Sequence, residues 1–357
     1  MKILLTSYAY PPSLGGLELF SAILREALIE RGHEVRVATF TPSSETEEGV
    51  LRCPSKAELR SCVDWADLCF ISGVSLNFQI PVVLGGRPMV ITHHAWQERY
   101  DGTSSFLQRL KLFVCGFGLN ITVNRALAAD LPMPALAIYN PVHTKVDLGP
   151  GFAERPRDVA YLGRLVSEKG VPVLINAMAR LHERGIGISA SILGEGPDRA
   201  ALEHQAAAAG LSENIRFTGR LNLSQIQGEL AQHRMMIVPS IYKEPFPMAV
   251  LEGLAAGCVL IASHAGGLPE GVGPCGITFP MREDQALADA IAGLLANPEL
   301  ARRYRDAIPA HLDTMRLDRI VDRYIEAFET FLNYRVRRGM SGRKAARLTV
   351  ADLTRES

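Results

Sequence analysis

Short apolar runs alternate with amphipathic stretches along the first part of the chain. Residues 2–7, Lys-Ile-Leu-Leu-Thr-Ser, are typical of a short buried strand, and residues 17–31 carry apolar positions at helical spacing up to Gly32. Another apolar run, 35–39, follows at once. A strand, a loop, a helix and a strand in this order predict the start of a parallel sheet. The same pattern predicts further strands over residues 68–71, 89–92, 121–123 and 136–139.

The pattern breaks over residues 140–157, which lack periodicity and are rich in Pro and Gly, and it then restarts. We therefore expect a Rossmann-like domain over 1–150, a second over 151–334, and a basic tail over 335–357. The last helix is a candidate to pack back on the first domain. Strands are predicted near 158–162, 188–193, 214–218, 235–239, 258–262 and 277–279, and helices near 171–184, 197–209, 223–231, 247–256, 284–296 and 316–333.

Composition narrows the class of protein. With 38 Lys and Arg against 38 Asp and Glu, the chain has no net charge, whereas a nucleic-acid-binding protein usually shows a basic excess. Six cysteines form no Cys-x-x-Cys pair, which disfavours a zinc or dithiol site and fits a reducing compartment. The first apolar run is too short for a secretory signal, and no run is long enough to span a bilayer. We expect a cytoplasmic protein that binds no nucleic acid.

Candidate ligand contacts lie in the loops that leave the strands, because ligands of such sheets bind beyond the carboxyl ends of the strands. Gly15 and Gly16 precede a helix, where free amides favour an anion, although a plain turn explains them equally well. Arg164 and Lys169 follow a strand and suit a diphosphate; alone they are more simply a solvated basic pair. The turn at residues 193–197, Leu-Gly-Glu-Gly-Pro, leaves room for a flat group or is an ordinary turn.

The most informative stretch is residues 243–263, KEPFPMAVLEGLAAGCVLIAS, with two glutamates eight positions apart. Pro247 suits the first helical position, so Glu244 is expected in the loop above a strand. The amides of Met248 and Ala249 are then free to hold a phosphate at the helix start. Glu252, more than a turn inside the helix, can accept hydrogen bonds from a ribose diol. The alternative for Glu252 is a surface helix residue.

A second glycine pattern is set aside. Residues 271–276, Gly-Val-Gly-Pro-Cys-Gly, match the dinucleotide signature G-x-G-x-x-G. That signature must follow a strand and open a helix, whereas this one follows a loop and leads into a strand.

Taken together, these elements resemble the family 4 retaining glycosyltransferases, which have the GT-B fold. The matching pieces are YPPSLGGLE (10–18), GRLVSEKG (163–170), LGEGP (193–197), FTGRL (217–221), EPFPMAVLEGLAAG (244–257) and GGLPE (266–270). The resemblance implies an α/β protein of two facing Rossmann-like domains with parallel sheets and an inter-domain cleft. The first domain would lie on the acceptor side and the second would bind the nucleotide sugar.

The resemblance also implies a role for each candidate. Arg164 and Lys169 would contact the diphosphate, Glu252 the ribose and Glu244 the transferred sugar. The segment near Thr218 and the turn at Gly194 and Gly196 would flank the base. Gly15 and Gly16 would approach the phosphate or sugar from the first domain, and so would a histidine, with His94 favoured by register over His93.

The reaction implied is retaining transfer of a sugar from a nucleotide-diphosphate sugar, with UDP-sugar favoured and GDP-sugar the alternative. The acceptor would be a hydroxyl of a glycan, a lipid-linked molecule or a small molecule, in cell-envelope or polysaccharide biosynthesis. The chain has no Asp-x-Asp motif, which fits a metal-independent reaction without a cofactor. A sugar-nucleotide epimerase of the same fold and a non-catalytic polysaccharide-assembly subunit are the alternatives.

Three features qualify this interpretation. Pro247 stands where the family often has glycine, so the phosphate contact must rest on Met248 and Ala249. The loop between the second strand and Trp65 is short, which leaves the acceptor open. Residues 106–113 and the tail carry basic residues that could contact a bilayer, so peripheral attachment at the inner face of the membrane is an alternative location.

Overall fold

The computed structural model describes residues 1–13, 15–96 and 105–337, which form two compact units. The first unit takes in Met1–His143 together with the described residues from Arg316 onward, and the second is Thr144–Met315. The predicted boundary after residue 150 therefore falls inside the second unit, because the linker residues from Thr144 onward pack with that unit. Each unit consists of one parallel sheet with helices packed on both of its faces.

The first unit is built on a seven-stranded parallel sheet of order β3-β2-β1-β4-β5-β6-β7. Ile3 of β1, an inner strand, pairs with Val35 on one side and Leu68 on the other. The strands are β1 (Lys2–Ser7), β2 (Glu34–Thr39), β3 (Val50–Arg52), β4 (Leu68–Ser72), β5 (Met89–His93), β6 (Leu119–Thr122) and β7 (Ala135–Ala137). The helices before residue 143 are α1 (Gly16–Glu30), α2 (Lys56–Trp65), α3 (Leu76–Gly85), α4 (Phe106–Cys115) and α5 (Arg125–Asp130).

The alternation of side chains along β1 explains why both faces of this sheet are covered. Ile3 and Leu5 pack in one apolar cluster with α1, whereas Leu4 packs in another with α2, α3 and α4. Successive side chains of a strand point to opposite faces, so an apolar run without polar breaks needs a layer on each side.

The second unit is built on a six-stranded parallel sheet of order β10-β9-β8-β11-β12-β13, with the strand order reversing between β8 and β11. The strands are β8 (Arg157–Leu162), β9 (Ala190–Leu193), β10 (Ile215–Gly219), β11 (His233–Val238), β12 (Val259–Ser263) and β13 (Gly276–Phe279). The helices are α6 (Val171–Glu183), α7 (Arg199–Ala208), α8 (Leu223–Leu230), α9 (Met248–Ala255), α10 (Leu268–Val272), α11 (Asp284–Ala296), α12 (Pro298–Asp306) and α13 (Ile308–Asp313). The reversal creates a crevice at the carboxyl edge, which is where ligands bind in such sheets.

The last helix, α14 (Leu317–Arg337), returns to the first unit. Tyr324 and Phe328 of α14 lie against Phe70 of β4 in the first unit. The prediction that the tail begins at residue 335 is wrong for its first three residues, because α14 continues to Arg337 and Arg335 is buried. The remainder of the predicted tail, 338–357, lies outside the described residues.

Two further expectations need correction. The stretch before Trp65 is not a short loop, since it contains β3 and α2. The start of α2 is fixed by a capping box in which the Ser55 hydroxyl accepts a hydrogen bond from the Glu58 amide. Pro247 is the N-cap of α9 rather than its first residue, because its ψ of 131° is extended.

The described residues contain no helix that is both long and apolar enough to cross a bilayer. All six cysteines fall in this part of the chain and are free thiols, five of them buried.

Candidate functional site

The carboxyl edge of the second unit carries a buried ion pair between Lys169 and Glu244. Lys169 follows β8 in a short 3-10 turn, and Glu244 lies in the loop between β11 and α9. The Lys169 Nζ donates to Glu244 Oε1 at 2.6 Å. The Glu244 side chain is only 3% exposed, whereas that of Lys169 is 24% exposed. The Lys169 side chain therefore remains partly accessible from solvent, whereas that of Glu244 does not.

Two neutral side chains also donate hydrogen bonds to this carboxylate. The Ser240 hydroxyl donates to Glu244 Oε1 at 2.7 Å, and the Tyr242 hydroxyl donates to Glu244 Oε2 at 2.6 Å. Tyr242 also accepts a hydrogen bond of 3.0 Å from Lys169. A carboxylate has about four acceptor positions. Three of them are filled by these donors, which fixes the orientation of Glu244 and of Lys169.

The backbone around the ion pair admits only glycine at one key position. Gly170 has φ +70°, and a Cβ there would lie 1.9 Å from the carbonyl oxygen of Pro239. The Ile241 amide donates to the Glu168 carbonyl at 2.9 Å, so the turn that carries Lys169 lies directly against the loop that carries Glu244. The last residue of the GRLVSEKG motif, Gly170, must therefore be glycine, because its backbone lies too close to that of Pro239 to leave room for a side chain.

A small cavity of about 160 Å³ lies at the ends of β8, β9 and β10. Its lining includes Arg164 and Gly194, two residues predicted from sequence, together with Glu195 and Arg220. A Cβ on Gly194, at φ +141°, would lie 1.9 Å from the Gly163 carbonyl oxygen. The other glycine of this turn, Gly196, meets the Leu165 carbonyl in the same way, at 2.1 Å. These close contacts join the loops after β8 and β9 into one wall.

The remaining predicted residues of the second unit belong neither to the Lys169–Glu244 ion pair nor to the lining of the cavity. The Thr218 hydroxyl donates to backbone carbonyls, those of Ile192 at 3.3 Å and Gly219 at 3.1 Å, which ties it to the β9–β10 pair. Met248 and Ala249 form the first turn of α9, and Glu252 follows on the same helix; all three are half-buried. The structure places Thr218 in a structural contact and leaves the first turn of α9 with no side-chain cap.

In the first unit, Gly15 is the N-cap of α1 and Gly16 its first residue, one position earlier than the predicted start at residue 17, and a carboxylate lies close to them. A Cβ on Gly15 would be 2.3 Å from Glu18 Oε2, and the Ser13 hydroxyl donates to Glu18 Oε1 at 3.1 Å. Carboxylates are stabilised at helix N-termini by the positive end of the helix dipole. Glu18 therefore shares this turn with any anion that the two glycines would admit.

The two histidines at the end of β5, His93 in the strand and His94 directly after it, have different environments. His93 is fully buried, and its Nε2 lies 2.9 Å from Asn120 Oδ1 on the neighbouring strand. His94 is half-buried; its ring packs on Phe20 with a centroid distance of 4.6 Å, and its Nε2 lies 3.2 Å from the Thr92 hydroxyl. Burial lowers the pKa of His93 to about 4 and that of His94 to about 3. Both rings are therefore neutral at pH 7. The His93 ring is held within the sheet by its hydrogen bond with Asn120.

Buried His93 should make the fold sensitive to acid. The unfolded chain binds a proton at His93 below pH about 6.5, whereas the folded chain does so only near its pKa of about 4. The unfolded state then holds more protons, so the free energy of unfolding should fall by about 1 kcal/mol per pH unit between pH 6 and 4. Urea unfolding of the wild type and of His93→Gln measures this, and the variant should show a shallower slope. Equal slopes would contradict it.

Sequence reasoning missed Ser240 and Tyr242, which contact Glu244, and Glu195 and Arg220, which line the cavity. Tyr242 lies two positions before Glu244, but a loop without periodicity gives no indication of which side chains face each other. Glu195 and Arg220 stand inside the quoted motifs LGEGP and FTGRL, so their position beside glycines was the available signal.

Comparisons with known proteins fit this arrangement. Residues 148–311 match the family model of the glycosyl transferases group 1. Glycogen synthase of Mycobacterium tuberculosis is 28% identical over 370 residues, covering 85% of this chain and 88% of that enzyme. Alpha-D-kanosaminyltransferase of Streptomyces kanamyceticus is 34% identical over 155 residues, covering 43% of this chain and 40% of that enzyme. The crystal structure of HepE from Anabaena in complex with UDP superimposes with a TM-score of 0.78 at 19% identity, over 92% of this chain and all of that one.

The fold, the site and these similarities define a glycosyltransferase that transfers a sugar from a nucleotide sugar. Residues 148–311 are similar to the glycosyl transferases group 1, the family 4 retaining hexosyltransferases, and the chain has the GT-B fold. Members of this family are typically metal-independent.

Proposed function

We propose that the second unit binds the donor along the carboxyl edge of its sheet and that Lys169 and Arg164 hold the diphosphate. The observation that carries this proposal is the partly exposed side chain of Lys169, whose ammonium is fixed by buried Glu244 and by the Tyr242 hydroxyl. A cation in a set position can stabilise charge on a leaving group without reorganising during the reaction. Arg164, exposed in the loop after β8 and lining the cavity, adds a second cation.

In the transfer, the bond from the anomeric carbon to the diphosphate oxygen breaks and a bond to the acceptor oxygen forms on the same face. The leaving diphosphate gains negative charge and takes the proton of the acceptor hydroxyl. Lys169, Arg164 and the amides of Met248 and Ala249 would offset that charge, so no metal ion is required. EDTA is therefore expected to leave the rate of transfer unchanged.

Glu244 is proposed to lie at the transferred sugar and to act there by holding Lys169, since its own side chain is only 3% exposed. Three donors already bind this carboxylate, from Lys169, Ser240 and Tyr242. Glu244 would then link the position of the sugar to the position of the Lys169 ammonium.

We propose UDP as the nucleotide, with GDP as the alternative. The cavity of about 160 Å³ beside Gly194 is the proposed base site, and Glu252 is the proposed ribose contact. The similarity of fold to HepE, whose structure contains UDP, supports the preference. Thr218 is retained only as a residue that supports the wall of this site, because its hydroxyl donates to backbone carbonyls.

For the first unit, contacts of Gly15, Gly16 and His94 with the donor stay predictions, as does its acceptor-side role. The acceptor is proposed to be a hydroxyl of a glycan, a lipid-linked molecule or a small molecule used in building polysaccharide or cell envelope at a cytoplasmic site. His94→Ala is the variant that tests the histidine: loss of transfer with unchanged UDP affinity would support a contact with the sugar.

A donor screen tests the proposed donor site. We expect UDP and one UDP-sugar to raise the melting temperature of the full chain more than GDP does. Glu252→Ala should weaken UDP binding by about 10- to 100-fold, because a hydrogen bond to a charged acceptor is lost. Isothermal titration of UDP measures this, with Glu183→Ala, an exposed glutamate of α6, as the matched control. Equal affinity of Glu252→Ala and wild type would remove the ribose assignment.

A further inference from the structure

Helices α3 and α4 of the first unit carry apolar side chains on their solvent-facing sides. Phe106 is 82% exposed and Phe113 67% exposed, and both stand on α4. Leu107 of α4 and Ile80 and Leu84 of α3 are exposed as well. Together these five side chains expose on the order of 500 Å² of apolar surface, at the upper end of what the largest patch of a soluble monomer shows.

This exposure does not arise from loose helices. The Gln79 amide of α3 donates to the Cys115 thiol of α4 at 3.2 Å, and both residues are fully buried. A capping box between Ser105 and Gln108 fixes the start of α4, next to Phe106. The opposite faces of α3 and α4 pack in the core through Phe78 and Val114, among others. Helices that are apolar on both faces require a second apolar environment.

The charged side chains on α3 and α4 themselves are all basic. Residues 73–94 and 105–118, which include both helices, contain no Asp or Glu, whereas the whole chain has 38 acidic and 38 basic residues. The basic residues of these segments are Arg87, Arg109 and Lys111, and Arg109 is exposed. Exposed apolar side chains beside basic ones are complementary to an anionic lipid surface, where the rings enter the interface and the cations meet the headgroups.

We propose that the outer faces of α3 and α4, carrying Ile80, Leu84, Phe106, Leu107 and Phe113, form a docking surface for an anionic lipid bilayer. The protein lies on the membrane through this surface and does not cross it. The surface is independent of the proposed donor site, since it belongs to the first unit and involves none of the residues assigned to the nucleotide sugar.

Flotation of the full chain with lipid vesicles tests this surface. The wild type should float with vesicles of phosphatidylcholine and phosphatidylglycerol, and much less with phosphatidylcholine alone. Phe106→Ser combined with Phe113→Ser should lower the bound fraction at least tenfold. Arg109→Gln combined with Lys111→Gln should weaken binding by roughly tenfold and remove most of its dependence on salt.

The matched control is Ile29→Ser, which removes an exposed apolar side chain from α1 of the same unit and should float like the wild type. The UDP-induced shift in melting temperature should be the same in every variant, which shows that each is folded and that the donor site is separate. Wild type that stays unbound, or a double phenylalanine variant that floats normally, would overturn the proposal. So would light scattering that shows a dimer which the phenylalanine variant converts to monomers, since a second copy would then cover this surface.

Discussion

Lys169→Met is expected to lower kcat for sugar transfer by roughly 100- to 1000-fold while the chain still folds. Removing one preorganised group that stabilises developing charge costs about this much in enzymes. The Lys169 ammonium is fixed by Glu244 at 2.6 Å and Tyr242 at 3.0 Å. Its position therefore does not depend on contacts with the bound nucleotide sugar. Donor affinity should fall less than kcat, because the leaving group is more negative in the transition state than in the bound donor.

Steady-state kinetics with the donor found in the screen measure this effect, and Lys243→Met is the control. Lys243 is an exposed lysine that directly precedes Glu244 in the same loop. Lys243→Met therefore removes the same charge next to Glu244 without removing the Lys169 ammonium. A kcat for Lys169→Met within tenfold of the wild type would contradict the role of Lys169 in the reaction.

Loss of Lys169 also leaves Glu244 buried without its counter-ion, and this effect must be separated from catalysis. Breaking a buried pair from one side destabilises a protein more than removing both charges. Lys169→Met combined with Glu244→Gln should therefore recover part of the thermal stability lost in the single variant. Activity should remain low in the double variant, since the cation is still absent. Recovery of activity together with stability would mean that Lys169 acts only through folding.

The positions of the sheet elements follow from sequence because each strand buries both faces. Apolar runs such as those of β1, β8 and β11 have no other use for so many adjacent apolar residues. Once the strands are parallel, their carboxyl ends share an edge, and this is why Arg164 and Gly194, 30 positions apart, could be expected to lie near one ligand. The structure brings both into the lining of one cavity.

The contacts inside the loops could not be predicted in the same way. The hydrogen bonds from Lys169 to Tyr242 and Glu244 join residues 73 and 75 positions apart, in segments with no periodicity. Their geometry depends on the approach of Gly170 to Pro239, which only the folded backbone shows. The short strand β3 was missed for a related reason: three residues are too few to establish alternation.

Buried Arg155 is a second contact that the sequence could not predict, and this one concerns the stability of the fold. It lies in the Pro- and Gly-rich stretch that sequence marks only as a domain boundary, yet its side chain is among the largest fully buried ones of the described residues. Its guanidinium donates to the carbonyls of His233 and Leu148, both at 2.6 Å, and of Ala256 at 2.7 Å. One side chain therefore joins the linker to β11 and to the end of α9.

Arg155→Met is expected to lower the free energy of unfolding by about 3–5 kcal/mol, because several buried carbonyl oxygens lose their donors at once. Arg155→Lys should recover little of this, since an ammonium cannot reproduce the planar fork that reaches three carbonyls in different directions. Space for rearrangement is small: a Cβ on the neighbouring Gly257 would lie 2.8 Å from Arg155 Nη2.

Urea unfolding of the two variants measures these losses, with Arg302→Met as the control. The Arg302 side chain is 67% exposed and pairs with Glu299 on the surface of α12, so its loss should change the free energy of unfolding by no more than about 0.5 kcal/mol. Because α9 begins at the amides proposed to hold phosphate and ends at the carbonyl bound by Arg155, UDP affinity should fall along with stability in Arg155→Met. A loss below about 1 kcal/mol would show that water or relaxation of the linker replaces the guanidinium at these carbonyls.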